Sequence, residues 1–241
     1  MQLATKERIV AAKHFATERY IRSTKPVLYI SGRKDSGGTN IFRSDDAYGH
    51  LCTVAGALWT PQGRSFDGVD DKIIVPGHSV FKSSPSAISG MVWYKPSALP
   101  AATKSILDMS DSAATYGWAL NLNQNEAGDA SAGWATFWRH SGGAWSAAGL
   151  ASVLVLDTWV YLGFTYDAAN AIFYKNGAVI RTKATVGAIT MPAGNPDVGV
   201  GSASSSANFV PGIIGAASFY NCALSALGHQ NIYLATKWRH R

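Results

Sequence analysis

Apolar and polar residues alternate along short stretches between about residue 73 and residue 166, which is the pattern of half-buried β-strands. Turn residues separate these stretches at intervals of about 8–15 residues. The positions that we expect to face a core are Ile73 and Val75; Ile88, Gly90, Val92 and Tyr94; Trp118, Leu120 and Leu122; Trp134, Thr136 and Trp138; and Val160, Leu162, Phe164 and Tyr166. The pattern therefore predicts an all-β protein.

The two ends of the chain have a different pattern. Residues 5–22 lack Pro and Gly and repeat apolar positions at spacings of three and four, which predicts an amphipathic helix. Residues 27–30 predict a short strand, and residues 31–46, rich in Ser, Gly and Asp, predict a linker or surface loop. Near the other end, Ser225 predicts the N-cap of a short helix.

One turn has a specific signature. Asn176-Gly177 follows a predicted strand, and this pair suits a type I′ hairpin because both central residues need positive φ.

Four segments, in this order along the chain, resemble one family. They are Ser65-Phe66-Asp67-Gly68-Val69-Asp70-Asp71, Trp159-Val160-Tyr161-Leu162-Gly163-Phe164-Thr165-Tyr166-Asp167, Tyr174-Lys175-Asn176-Gly177 and Asn221-Cys222-Ala223-Leu224-Ser225. The order is similar to the laminin-G-like jelly roll of the concanavalin A-like lectin and glucanase superfamily. Residues 49–59 resemble the first strand of that family and extend the match to about Asp46.

The resemblance implies a two-sheet antiparallel jelly-roll sandwich with an N-terminal helical extension and a short C-terminal helix. We expect residues 1–45 to form a basic helix and linker that act as an assembly arm, and residues 46–241 to form the sandwich with a basic tail. A length of 241 residues fits one all-β domain with an appendage.

Charge is concentrated at the ends. Residues 1–34 hold eight Lys/Arg against two Glu, residues 35–236 hold ten against thirteen acidic residues, and residues 237–241 hold three cations. Such ends commonly bind an acidic partner surface, another subunit or nucleic acid, and a solvated tail is the alternative. The residues that we expect to dock are Lys6, Arg8, Lys13, Arg19, Arg22, Lys237, Arg239 and Arg241.

Membrane insertion and general secretory export are not expected. The longest apolar run is far shorter than the roughly 20 residues that cross a bilayer, and the start of the chain lacks the apolar region and cleavage site of a signal peptide.

Catalytic motifs are absent from the sequence. Retaining glucanases of the superfamily carry E-x-D-x-x-E on one strand, whereas this chain has only Glu7, Glu18 and Glu126, and none lies in such a motif. Neither a Gly-x-Ser-x-Gly elbow in the required context nor H-E-x-x-H spacing is present. We therefore expect that the protein is not an enzyme, and a glycoside hydrolase is the least favoured alternative.

A calcium site is the one cofactor to consider. Asp67, Asp70 and Asp71 cluster on one predicted turn, and Ca²⁺ prefers several oxygen ligands. Relatives often complete such a site with acidic residues of the closing strand, where this chain has Gly215 and Ala216 instead. The alternative is that these aspartates cap a tight turn, and we expect no other cofactor.

Aromatic and amide side chains on neighbouring predicted strands offer the groups that hold sugars. Trp138, Trp145, Asn123 and Arg139 are the candidate glycan-binding residues, with Trp134, Asn121 and Gln124 offering the same chemistry nearby. For at least half of the tryptophans, packing in the core is the favoured role.

Cys52 and Cys222 lie near the first and last strands of the family pattern. A disulfide and two free thiols both remain open at this stage, because sequence does not show whether the two Cβ atoms meet.

These observations predict a non-enzymatic structural or binding module. The favoured role is a surface or decoration component of a larger assembly such as a phage virion, made in the cytoplasm and docked on other protein subunits. We expect an oligomer, surface glycans as further partners, and neither a membrane nor nucleic acid. The alternative is a free carbohydrate-binding lectin acting outside cells.

Overall fold

The computed structural model describes residues 16–17, 19–32, 40–99, 101–111, 116–125, 127, 129–141, 144–184 and 186–240. This part of the chain forms sixteen strands, 3-10 segments at Ser79–Lys82 and Lys237–Arg239, and a C-terminal α-helix at Ala226–Thr236. Residues 16–17 and 19–23 are also helical. None of these helices has the length and apolar character that a membrane-spanning helix needs.

The strands divide into two sheets. The first sheet contains β1 (Leu28–Ile30), β4 (Leu58–Thr60), β5 (Gly63–Asp67), β7 (Ile88–Pro96), β12 (Val160–Tyr166), β13 (Asn170–Lys175), β14 (Ala178–Ala184) and β16 (Pro211–Tyr220). Its strand order is β14-β13-β12-β7-β16-β5-β4, and β1 pairs with β16.

The second sheet has its own eight strands. They are β2 (Ile41–Arg43), β3 (Leu51–Ala55), β6 (Lys72–Val75), β8 (Lys104–Ser110), β9 (Gly117–Gln124), β10 (Ala130–Ser141), β11 (Ala144–Leu150) and β15 (Val198–Val200), in the order β11-β10-β9-β8-β15-β6-β3-β2. All described strand pairs are antiparallel. The prediction of a two-sheet antiparallel jelly-roll sandwich is confirmed.

The main core lies between the sheets, and most predicted inward positions are correct. The alternating residues of β7, β9 and β12 that the sequence pattern selects are buried, and all except Gly90 belong to one hydrophobic cluster. Strand β10 is the exception, because Ala135 and Phe137 occupy the core there. The predicted inward set Trp134, Thr136 and Trp138 therefore lies on the opposite face of that strand.

The predicted hairpin is also present. Strands β13 and β14 pair directly, and Asn176 and Gly177 between them have φ angles of 51° and 79°. Both positive values agree with the backbone that a type I′ turn requires.

The sandwich begins earlier in the sequence than residue 46. Strand β1 pairs with β16 in the first sheet, and β2 pairs with β3 in the second. The predicted strand at residues 27–30 is thus confirmed at Leu28–Ile30. The separate arm expected at residues 1–45 needs correction, since its last part supplies strands to both sheets; residues 1–15, 18 and 33–39 lie outside the described residues.

A second apolar cluster, here called the outer cluster, covers the outer face of the first sheet. Its buried members are Ile21, Tyr29, Met91, Trp93, Tyr161, Tyr174, Ala216, Tyr220 and Ile232. Ile21 comes from the N-terminal helical residues and Ile232 from the C-terminal helix, so both ends of the described chain pack against their own sandwich.

The C-terminal helix begins as the sequence predicts. The hydroxyl of Ser225 accepts a hydrogen bond from the backbone N–H of Gly228 at 3.1 Å. This capping bond satisfies one of the free N–H groups of the first turn.

The two cysteines are both free, Cys52 buried and Cys222 exposed. Of the two alternatives left open by the sequence, the structure therefore has unbridged thiols.

Candidate functional site

The outer face of the second sheet is polar where that of the first is apolar. In β8, Leu107 and Met109 pack in the core, which leaves Asp108 and Ser110 on the other face. In β9, Leu120 and Leu122 point inward and Asn121 outward by the same alternation.

These outward side chains line a groove with a volume of about 260 Å³. Strands β8, β9 and β10 form its floor, and the loop of residues 201–209 forms one wall. The lining residues are Ser105, Asp108, Ser110, Ala119, Asn121, Gln124, Trp138, Ala203, Ser205 and Asn208.

Trp138 supplies the large apolar surface of the groove. It pairs in register with Ala119 of β9, whose small side chain leaves space beside the indole. An aromatic ring flanked by open space and polar groups is the arrangement that lets a ligand stack on it.

Asp108 is the acidic residue of the groove floor, and only 3% of it is exposed. Its Oδ1 accepts hydrogen bonds from the backbone N–H of Ser110 at 2.9 Å, from the Ser110 hydroxyl at 2.8 Å and from the backbone N–H of Ser204 at 3.2 Å. Burial raises the pKa of this carboxyl, and the three hydrogen bonds oppose that rise in part. These bonds also fix the orientation of the carboxyl.

Asn121 connects the floor to the end of β9. Its carboxamide oxygen accepts from the Ser105 hydroxyl at 3.0 Å, and its nitrogen donates to Oε1 of Gln124 at 2.9 Å. The row Ser105, Asn121 and Gln124 is therefore oriented before any ligand arrives.

The wall formed by residues 201–209 is held by its own backbone. The N–H of Ala203 donates to the carbonyl of Ala207 at 2.7 Å, and the N–H of Val210 donates to the carbonyl of Gly201 at 2.9 Å. The loop is also tied to β8, since the N–H of Ser105 donates to the carbonyl of Asn208 at 2.8 Å. A wall built this way keeps the groove preformed.

Of the four predicted glycan-binding residues, the structure places Trp138 in the groove. Asn123 is 1% exposed, and its Oδ1 accepts from the backbone N–H of Gly133 at 3.1 Å. Arg139 is 3% exposed and lies over the ring of Tyr166 at 4.7 Å, while Nη2 donates to the carbonyl of Val186 at 2.8 Å. Neither residue lines the groove. Arg139 follows Trp138 directly and so faces the other side of β10.

Trp145 belongs to β11, where it pairs in register with His140. Its side chain is outside the described part of the structure.

The predicted acidic turn is compact. Asp67, Asp70 and Asp71 place one carboxylate oxygen each within 4.8 Å of one another. Two of them cap the turn: Oδ1 of Asp67 accepts from the N–H of Val69 at 2.8 Å, and Oδ2 of Asp71 accepts from the N–H of Asp67 at 2.7 Å. Burial raises the pKa of Asp71.

The fit of this turn to calcium is incomplete. Ca²⁺ takes six to eight oxygen ligands, whereas the acidic group in the described residues consists of three aspartates, Asp67, Asp70 and Asp71. Gly215 and Ala216, where relatives often have acidic residues, lie further along β16 than Pro211, the residue that pairs with Asp67. The capping role accounts for the hydrogen bonds that the turn makes. A bound calcium ion stays a prediction.

The predicted docking residues divide between described and undescribed parts of the chain. Arg19 and Arg22 are exposed, Lys237 and Arg239 are half-buried, and Lys6, Arg8, Lys13 and Arg241 lie outside the described residues. Thr17 brings the two ends together, since its hydroxyl donates to the carbonyl of Ala235 at 2.7 Å and accepts from Nε1 of Trp238 at 3.0 Å.

The sequence pattern does not identify Asp108 as a candidate site residue, and the irregularity of β8 is the physical reason. The register of β8 against β9 shifts between Ser105 and Leu107, so Ile106 and Leu107 are both buried and the strand does not alternate strictly. The signal that remains is a lone Asp within an otherwise apolar run.

A family model described as the concanavalin A-like lectin/glucanases superfamily matches residues 66–227 of the sequence. A search among curated proteins finds no match.

Several solved structures share the fold. The binding domain of botulinum neurotoxin serotype D has a TM-score of 0.64 at 13% identity, over 88% of this chain and 51% of that one. A serotype D ligand binding domain in complex with N-acetylneuraminic acid has a TM-score of 0.65 at 13% identity, over 87% and 50%. The chain spans about half the length of these toxin domains.

Domain 4 of AbnA, a GH43 extracellular arabinanase from Geobacillus stearothermophilus, is similar over its whole length. In complex with arabinotriose it has a TM-score of 0.64 at 16% identity, over 87% of this chain and 98% of that one. At these identities the likenesses show the fold alone.

Proposed function

Because the chain belongs to the concanavalin A-like lectin/glucanases superfamily, we propose that it is a non-enzymatic carbohydrate-binding domain whose ligand lies in the groove of the second sheet. The observation that carries the proposal is the groove itself, where Trp138 stands beside Asp108, Asn121 and Gln124. Sugars present apolar ring faces and rows of hydroxyls, and this lining offers a surface for each.

The composition of the groove favours binding over hydrolysis. Canonical glycoside hydrolysis uses two carboxyl groups that flank the scissile bond, about 5–5.5 Å apart in retaining enzymes and about 6.5–9.5 Å apart in inverting ones. Among the described residues that line the groove, Asp108 is the one carboxyl group. Its hydrogen bonds to Ser110 and Ser204 suit a fixed acceptor for sugar hydroxyls.

The test is a binding measurement on Trp138→Ala. Glycan arrays followed by calorimetry should identify a ligand of the parent chain, and the substitution should weaken it by about 30-fold or more, since a truncated tryptophan anchor commonly costs about 2 kcal/mol. The matched control is Trp59→Ala, because Trp59 is 37% exposed on β4 of the first sheet. Equal losses in both variants, or unchanged binding in Trp138→Ala, would overturn the proposal.

A second candidate function is docking in a larger assembly such as a phage virion through the basic ends. The contact of Thr17 with Ala235 and Trp238 favours it, because it draws exposed Arg19 and Arg22 towards the segment that carries Lys237 and Arg239. A basic surface assembled from both ends suits an acidic protein partner. The toxin and arabinanase relatives favour the glycan role, and either role would place the chain where external glycans are met.

The docking role is tested by charge reversal, not by truncation, since Ile21 is fully buried and its removal would open the outer cluster. Arg19→Glu combined with Arg22→Glu should abolish incorporation into a purified native assembly, as measured by mass. Arg43→Glu, on the second sheet, is the control. Normal incorporation of the double variant would exclude docking through this surface.

A further inference from the structure

A second cavity adjoins the groove at the end of β8. It has a volume of about 280 Å³, and its lining includes Asp111, Asn195, Asp197 and Ser204. Ser110 and Ser205 line both cavities. The two spaces therefore meet at these serines, with Ser205 exposed between them.

The volumes indicate one extended site. Each cavity alone is smaller than the roughly 300–1,000 Å³ of ordinary small-molecule pockets, whereas the two together fall within that range. A linear chain that leaves the first cavity past Ser205 would enter the second.

The ionisable residues that line the two cavities carry one sign of charge. Among the described residues these are Asp108 in the groove and Asp111 and Asp197 in the second cavity, with no Lys or Arg. Lys82 approaches the loop of the second cavity, but its Nζ donates to the carbonyls of Pro192, Ala193 and Gly194 at 3.3, 2.9 and 2.6 Å, and it lines neither cavity.

A carboxylated sugar would lose hydration in this cleft without gaining a cation. Burying an unpaired carboxylate is costly, and placing it near Asp111 or Asp197 adds like-charge repulsion. Neutral hydroxyls instead match the amide, hydroxyl and carboxyl groups that line the cleft.

Resting on the function proposed above, we propose that the ligand is an uncharged, linear oligosaccharide that spans both cavities. The groove holds one part of it against Trp138, and the second cavity holds the continuation. Sialylated and uronic acid glycans are rejected.

The charge class is tested with matched probes on the parent chain. Neutral arabino-, xylo- and cello-oligosaccharides are compared by calorimetry with oligogalacturonides of equal length and with sialyllactose. The best neutral probe should bind at least about tenfold more tightly than any acidic one, since opposed like charges disfavour wrong partners strongly. If an acidic probe binds as well and Trp138→Ala abolishes it, the charge inference fails while the proposed function stands; if nothing binds, both fail.

The second cavity is tested with Gly194→Phe. Gly194 lines the cavity and a Cβ there meets no atom within 4 Å, so a larger side chain can be added at this wall without a backbone clash. The parent should bind a neutral hexasaccharide about tenfold more tightly than the disaccharide, and Gly194→Phe should remove this advantage while Gly194→Ala retains it. An advantage that survives in Gly194→Phe would contradict a ligand spanning both cavities.

Ser205→Arg supplies the missing cation at the junction. The ratio of oligogalacturonide affinity to neutral affinity should rise about tenfold relative to the uncharged control Ser205→Gln. An unchanged ratio would show that charge does not set the selectivity.

Discussion

The outer faces of the two sheets are used in opposite ways. On the first sheet the described residues of the N-terminal helical segment and the C-terminal helix cover the strands, and under this cover Nε1 of Trp93 donates to the Thr236 hydroxyl at 2.8 Å. On the second sheet no helix of the described residues packs over β8 to β10, and Trp138 borders an open groove. The same sandwich thus has one face covered by packing and one that carries an open groove.

The residues that stabilise the fold and those that line the groove lie on different outer faces of the sandwich. Buried apolar area and buried hydrogen bonds stabilise a fold, and the outer face of the first sheet carries a buried apolar cluster together with the Trp93–Thr236 hydrogen bond. Polar side chains that border solvent contribute little to stability, because water can replace their partners. Substitutions on the outer face of the first sheet should therefore lower the free energy of unfolding, whereas substitutions on that of the second sheet should mainly lower ligand affinity.

The largest effect is expected at His229, which holds the C-terminal helix to the first sheet. Nδ1 of His229 lies 2.8 Å from the Tyr161 hydroxyl, Nε2 lies 3.1 Å from the Thr165 hydroxyl, and the ring stacks on Tyr174 with centroids 3.9 Å apart. Gly163 makes room for it, since a Cβ there would lie 2.7 Å from Nδ1. Burial lowers the pKa of His229 to about 3.

This pKa sets a pH dependence of stability. An unfolded histidine titrates near 6.5, so between about pH 6.5 and pH 3 the unfolded state binds the extra proton and the free energy of unfolding falls as pH falls. The full loss, reached below about pH 3, amounts to about 5 kcal/mol. Urea unfolding across this range should show the decline in the parent and a flatter profile in His229→Gln. Parallel profiles would assign the decline to other groups.

Much of the fold was predictable because its signals are local. Asn176 and Gly177 need positive φ, Ser225 caps a helix through its own hydroxyl, and the alternation along β12 sets its inward face without reference to the rest of the chain. Such signals survive in one sequence because each depends on a few consecutive residues.

The site was predictable only in part, because its geometry depends on strand faces and on register. Trp138 lines the groove, and its predicted glycan binding stays a prediction, whereas adjacent Arg139 faces inward and Asn123 is buried with φ 55°. Asp108 was not predicted, because the register shift in β8 breaks the alternation from which outward positions are identified. The packing of both ends on the outer cluster was equally invisible, since a charge count does not show which surface a helix covers.

The next largest effect is expected from Ile232→Ala on the C-terminal helix. Ile232 is fully buried in the outer cluster, so the substitution should cost about 2–5 kcal/mol of unfolding free energy. Leu234→Ala on the same helix is the control; Leu234 is 47% exposed, and its loss should stay within about 0.5 kcal/mol. Glycan affinity should be unchanged in both variants. Similar stabilities would mean that the helix does not close this face as described.

The smallest stability effect is expected at Asn121, where the contrast between the faces is sharpest. Its hydrogen bonds to Ser105 and Gln124 border the open groove, so water can replace them and Asn121→Ala should cost less than about 1 kcal/mol of unfolding free energy. The same change should weaken glycan binding about tenfold, because a sugar hydroxyl loses its partner. Asn40→Ala, exposed beside β2, should change neither quantity. A large loss of stability in Asn121→Ala with unchanged binding would contradict this contrast. It would mean that the outer face of the second sheet, like that of the first, serves packing and not recognition.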